Sequence, residues 1–85
     1  MYKIIISDKE LIFLEEITWR FNIQELKRVI LTGNEKQLWV ESKWLKYSFN
    51  LNKLKETDKS RFIVSVKSIA IKNGTLINNI LEQYT

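Results

Sequence analysis

Apolar positions along the chain follow two periods, and the change from one to the other organises it. Between residues 17 and 23, Ile17, Trp19, Phe21 and Ile23 alternate with Thr18, Arg20 and Asn22. That is the period of a half-buried strand, and β-branched and aromatic side chains dominate it. A competing signal overlaps. Asn22 with Glu25 three residues later forms a capping box, followed by Leu26, Val29 and Ile30 on one helical face and Gly33 as a stop. A helix begun at Asn22 breaks the alternation and leaves Ile23 without a face. Two strands are therefore expected, over 17–23 and 26–32, joined by Gln24 and Glu25.

Residues 2–7 and 10–15 read as earlier strands around Ser7, Asp8 and Lys9, with a helix from Asp8 to Phe21 as the alternative. Residues 37–41 and 44–51 alternate again, with Leu38 and Val40 answered by Leu45, Tyr47, Phe49 and Leu51. A turn centred on Ser42 and Lys43 sets Val40 opposite Leu45 and Leu38 opposite Tyr47, which puts both apolar sets on one face. Past the charged stretch 52–60 the period changes. Phe62, Ile63, Val66, Ile69 and Ala70 form a helical stripe over 58–72, with Thr57 or Asp58 as cap and Gly74 as stop. A strand through Phe62, Val64 and Val66 turning at Asn73 and Gly74 is the alternative. Leu76, Ile77, Ile80, Leu81 and Tyr84 repeat helically over 76–84, a helix too short to stand without docking. No internal repeat or linker is evident.

The expected fold is a single domain over 1–85, α+β and mainly β. It is an antiparallel six-stranded meander or partly open barrel, closed by one helix and followed by a second, short C-terminal one. Trp19, Phe21, Ile23, Leu38, Val40, Leu45, Tyr47, Phe49, Phe62 and Val66 are the expected core.

Composition narrows the chemistry. The chain of 85 residues has no cysteine and no histidine, so thiolate nucleophiles, disulfides, imidazole shuttles and His- or Cys-ligated metals are excluded. Glu15 and Glu16 are adjacent, and on a strand they point to opposite faces and cannot act as a pair. No phosphate-cradling glycine motif occurs. A non-enzymatic chain with no cofactor is expected. The apolar run in MYKIIIS is too short for a signal peptide or spanning helix, so a cytoplasmic protein without a transmembrane segment is expected. Abundant Ile, Lys and Asn point to an AT-rich coding genome, that of a low-GC bacterium or its phage or mobile elements.

Charge is uneven. Residues 1–35 carry five bases and six acids; residues 36–85 carry nine bases and four acids. The basic half, chiefly 36–72, suits nucleic acid, an acidic protein or simply a solvated lysine-rich surface.

Several runs resemble the small bacterial pleckstrin-homology-like domains. They are Ser7-Asp8-Lys9-Glu10-Leu11-Ile12, the stretch from Phe21 to Val29, Phe49-Asn50-Leu51 and Arg61-Phe62-Ile63. The resemblance covers about residues 2–72 and consists of hydrophobic patterning. It implies a partly open barrel capped by a helix and a protein-interaction module, in some members an immunity or inhibitor role. The phosphoinositide-binding loop of eukaryotic relatives and the membrane anchor of some small bacterial members have no counterpart here.

The candidate partner-binding residues are Trp39, Trp44, Lys46, Lys43 and Lys36. In the hairpin above, Trp39 and Trp44 face away from Leu38 and Val40, with Lys46 across from Trp39, Lys43 at the turn and Lys36 nearby. Indoles interleaved with lysines suit a protein hot spot, self-association included, or base stacking over a phosphate-attracting surface. The other reading is an indole covered by a helix or by the closing barrel. A small basic nucleic-acid-binding protein is the second functional expectation, winged-helix-like if residues 8–31 are helical.

Overall fold

The chain folds as two three-stranded meanders, one after the other, packed against a long helix. The computed structural model describes residues 3–84; Tyr2, expected in the first strand, lies outside them. Strands β1 (Lys3–Ile6), β2 (Glu10–Leu14) and β3 (Thr18–Asn22) pair antiparallel in sequence order. A single 3-10 turn over Ile23–Glu25 leads to β4 (Leu26–Leu31), β5 (Gln37–Ser42) and β6 (Lys46–Asn50), which pair likewise in a separate sheet. A second 3-10 turn over Leu51–Lys53 leads to α1 (Glu56–Asn73). A two-residue strand β7 (Leu76–Ile77) then joins β4 in parallel, and the short helix α2 (Asn79–Gln83) follows.

The architecture is therefore α+β with one main helix and a short C-terminal one, but the strands form two sheets and not one six-stranded meander, and they do not close a barrel. The break falls in the ambiguous stretch. Asn22 does cap, its Oδ1 accepting the Gln24 N–H at 3.0 Å, but only one turn follows before Leu26 resumes extended backbone. Residues 8–31 hold three strands and that turn, so the two-helix layout a winged helix needs is absent.

Four expectations change in detail. The β5–β6 turn is longer than a two-residue one. Ser42 N–H donates to the Leu45 carbonyl at 2.8 Å, and Ser42 Oγ accepts from the Trp44 and Leu45 amides. Val40 consequently faces Tyr47, and Leu38 faces Phe49. The slip is two residues, so the apolar faces survive, while Leu45 leaves the core for the turn at 36% exposure. Trp19 is only half-buried at the edge of the core. The helix expected over 76–84 begins as β7 instead, because the edge of β4 offers unpaired backbone. Asn78 then bonds that edge with both ends of its amide, Oδ1 accepting from Leu31 N–H at 3.0 Å and Nδ2 donating to Leu31 O at 2.7 Å. Helix α1 buries Phe62, Ile63, Val66 and Ala70 as its stripe predicts and ends at Gly74, whose φ of 77° suits a residue without Cβ. It starts at Glu56 after Lys55, however, so Thr57 and Asp58 lie in its first turn and neither is the cap.

The two meanders repeat each other, a relation the sequence pattern had not disclosed. Both end on one signature, Trp19-x-Phe21-Asn22-Ile23-x-x-Leu26 and Tyr47-x-Phe49-Asn50-Leu51-x-x-Leu54. In each the Asn side chain caps a 3-10 turn, and the final Leu N–H returns to the Ile23 or Leu51 carbonyl. In each, too, the residue after Asn donates its N–H to a lysine carbonyl just before the middle strand, Ile23 to Lys9 at 2.9 Å and Leu51 to Lys36 at 2.8 Å. The inward rows correspond. Ile6, Leu11 and Phe21 match Leu31, Leu38 and Phe49; Ile4, Phe13 and Trp19 match Val29, Val40 and Tyr47. The equivalent rings Trp19 and Tyr47 stack across the interface, with centroids 4.8 Å apart and planes 29° from parallel. Phe13 sits among the aromatic rings, touching Phe21, Tyr47, Phe49 and Phe62.

Candidate functional site: the outer face of the second sheet

Alternation that buries Val29, Leu31, Leu38, Val40, Tyr47 and Phe49 sends their neighbours to the opposite face of the second sheet. Register aligns them in two rows. Ile30, Trp39 and Ser48 lie side by side across β4, β5 and β6, and next to them run Leu76, Arg28, Glu41 and Lys46. Trp39 is 43% exposed and Leu76 68%, while Ile30, beside Trp39, is half-buried. Arg28 Nε stands 3.8 Å from Glu41 Oε2, and a shallow hollow of about 150 Å³ opens among Arg28, Ile30, Trp39, Glu41 and Lys46. The arrangement is an indole beside an aliphatic side chain, bordered by two cations and one carboxylate.

Of the five residues singled out from the sequence, Trp39 and Lys46 share this face, although Lys46 sits across from Glu41 and Ser48 across from Trp39. Lys43 and Trp44 occupy the β5–β6 turn. There Trp44 is 78% exposed and the Lys43 ammonium lies over its ring, 5.1 Å from the centroid. Lys36 precedes β5 and is at the other end of the hairpin, seven residues from Lys43, or about 20 Å along an extended strand. The five do not make one patch. Arg28, Ile30, Glu41 and Leu76 belong to the face and were missed. Pairing β4 with β5 through Val29 and Leu31 would have found the first three, but Leu76 depends on a parallel strand that periodicity cannot announce.

A second polar cluster joins the meanders. Glu15, just after β2, accepts hydrogen bonds from the Tyr47 hydroxyl and, at 3.0 Å, from Lys53 Nζ. Burial pushes the Glu15 carboxyl up, but the two donors and the lysine charge hold it below its ordinary value on balance. Burial and then the adjacent carboxylate push the Tyr47 phenol well above the usual tyrosine range. In the sequence, Glu15 stands out only as the neighbour of Glu16; its partners lie 32 and 38 residues away, beyond any local signal. Among the described residues no group of three acidic side chains that could hold a metal ion occurs. None of the described helices is long and apolar enough to cross a membrane. The chain matches no protein-family model, no curated protein and no solved structure.

Proposed function

We propose that this protein is a non-enzymatic protein-interaction module on a pleckstrin-homology-like scaffold, and that it meets its partner with the outer face of the second sheet. Two antiparallel meanders packed inner face to inner face, with one long helix against them, support the scaffold. The observation that carries the function is Trp39. An indole held 43% exposed on a sheet face, beside Ile30 and next to the row of Arg28, Glu41 and Lys46, has the composition of an interface hot spot. Nucleic acid is the weaker reading, because Lys36, Lys43 and Lys46 are dispersed along the hairpin and do not line one groove.

The test compares capture of binding proteins from the source organism by the native chain and by two variants, Trp39→Ala and Trp44→Ala. A partner retained by Trp44→Ala and lost by a Trp39→Ala variant that keeps its melting temperature supports the reading. Loss with neither variant overturns the assigned face. Binding to single- or double-stranded nucleic acid that falls by about one log–log unit with salt for each phosphate neutralised would replace it.

A further inference from the structure

The repeat exposes an asymmetry in how the two meanders use their first strands. In an antiparallel ladder alternate residues direct N–H and C=O away from the partner strand. Ser7 N–H bonds the Glu10 carbonyl, so Lys3 and Ile5 face β2 and the backbone groups of Ile4 and Ile6 face outward. Thr32 N–H bonds the Gln37 carbonyl in the same way, so Val29 and Leu31 are their equivalents on β4. On β4 that edge is occupied, by β7 alongside Val29 and by the Asn78 amide on Leu31, and both Val29 and Leu31 are fully buried. On β1 the same edge carries no backbone bond among the described residues, and Ile4 and Ile6, though they face the core, are only half-buried. A groove of about 360 Å³ separates this edge from the first half of α1. Its floor is Ile4, Ile6, Leu54 and Phe62; its rim carries Lys3 and Arg61 against the single acid Asp58.

We infer that the β1 edge binds an extended, acidic-flanked peptide segment of a partner protein, which adds to the first sheet as β7 adds to the second. The chain itself shows what such an edge accepts: Leu76 and Ile77 in extended form, with the following Asn78 completing the backbone bonds. Main-chain bonds to Ile4 and Ile6 supply affinity, an apolar side chain fills the groove above Phe62, and Lys3 and Arg61 select flanking carboxylates. Neither lysine nor arginine here is in an ion pair among the described residues. This surface is separate from the Trp39 face and does not depend on it.

The probe is a synthetic heptapeptide carrying the Leu-Ile-Asn sequence of β7 between glutamate pairs, with a lysine-flanked version as control. Backbone amide shifts and hydrogen exchange of the full chain are followed during titration. The expected result is shifts centred on Ile4 and Ile6, slowed exchange of those two amides and preference for the glutamate peptide. Arg61→Glu should weaken that peptide by roughly threefold to tenfold at low salt. Ser65→Trp, which fills the groove from α1, should abolish binding, and Trp39→Ala should bind as the native chain does. Unmoved Ile4 and Ile6 amides at millimolar peptide overturn the proposal. So does binding indifferent to both Arg61→Glu and Ser65→Trp in folded variants. A dimer in sedimentation whose interface protects Ile4 and Ile6 would assign the edge to a second copy and overturn it equally.

Discussion

The first meander delivers the chain into a strand and the second delivers it into a helix, although both end on the same eight-residue signature. Up to Leu26 and Leu54 the two segments are interchangeable in outline: a ring, a buried phenylalanine, an asparagine cap, one 3-10 turn and a leucine. The difference lies in what comes next. From Arg28 to Leu31 burial alternates and two of the four residues are β-branched, whereas Glu56 onward brings an acidic first turn and then the Phe62, Ile63, Val66 stripe. A capped turn sets where a strand stops; the following period decides which element begins. The second difference is at the edges, where β4 is covered by β7 and β1, among the described residues, is not.

The largest expected effects test the equivalence at its centre. Phe21 and Phe49 are matched positions, each 1% exposed. Phe21→Ala and Phe49→Ala should each lower stability by about 3–5 kcal/mol, measured by chemical denaturation. If one of them is tolerated, the two inner faces do not share a core in the way their matching rows imply.

A smaller effect tests how the meanders are joined. The Glu15 carboxyl is held below its ordinary value, near 4.5, by Tyr47 and Lys53 despite its burial. A carboxyl depressed on folding stabilises the fold above its unfolded pKa, and that contribution disappears as pH falls through the lower folded value. Tyr47, raised on folding, contributes below the ordinary tyrosine value of 10.0, and its share is lost as pH rises beyond it. The stability gap between native chain and Glu15→Gln should therefore be constant from about pH 6 to 9 and shrink below about pH 4.5. A gap that stays flat to pH 3 means that the Glu15 cluster does not link the meanders.

Legibility of all this in the sequence followed the range of each interaction. The strands, the α1 stripe and the Gly74 stop were readable because alternation, helical period and a left-handed cap are local. Asn22 was readable as a cap but not as the cap of a single turn, since the choice between one turn and a helix lies in Leu26 resuming the sheet. The β5–β6 register slipped by two because Ser42 organises a four-residue turn with its hydroxyl, and parity alone cannot detect an even slip. The fate of Leu76 and the bonds of Glu15 join residues more than 30 positions apart. Of the candidate site, the Trp39 face was legible as a face, but not its Arg28 and Leu76 flank.

The smallest effect separates the two signatures themselves. Removing either cap leaves a Gln24 or Asn52 amide without its asparagine acceptor, which typically costs ~1 kcal/mol. The surroundings are unequal. The Ile23 carbonyl, in the first turn, also accepts from Asn73 Nδ2 at 2.8 Å, so the end of α1 ties that turn down from outside. The Leu51 carbonyl has its bond from the Leu54 amide and no matching side-chain tether among the described residues. Asn50→Ala should accordingly cost more than Asn22→Ala, and adding Asn73→Ala to Asn22→Ala should bring the first turn to a loss of about 2 kcal/mol. Denaturation curves of the three variants decide it. If Asn22→Ala alone matches Asn50→Ala, the tether from α1 holds nothing that the cap does not. The two meanders would then be equivalent down to their last turn.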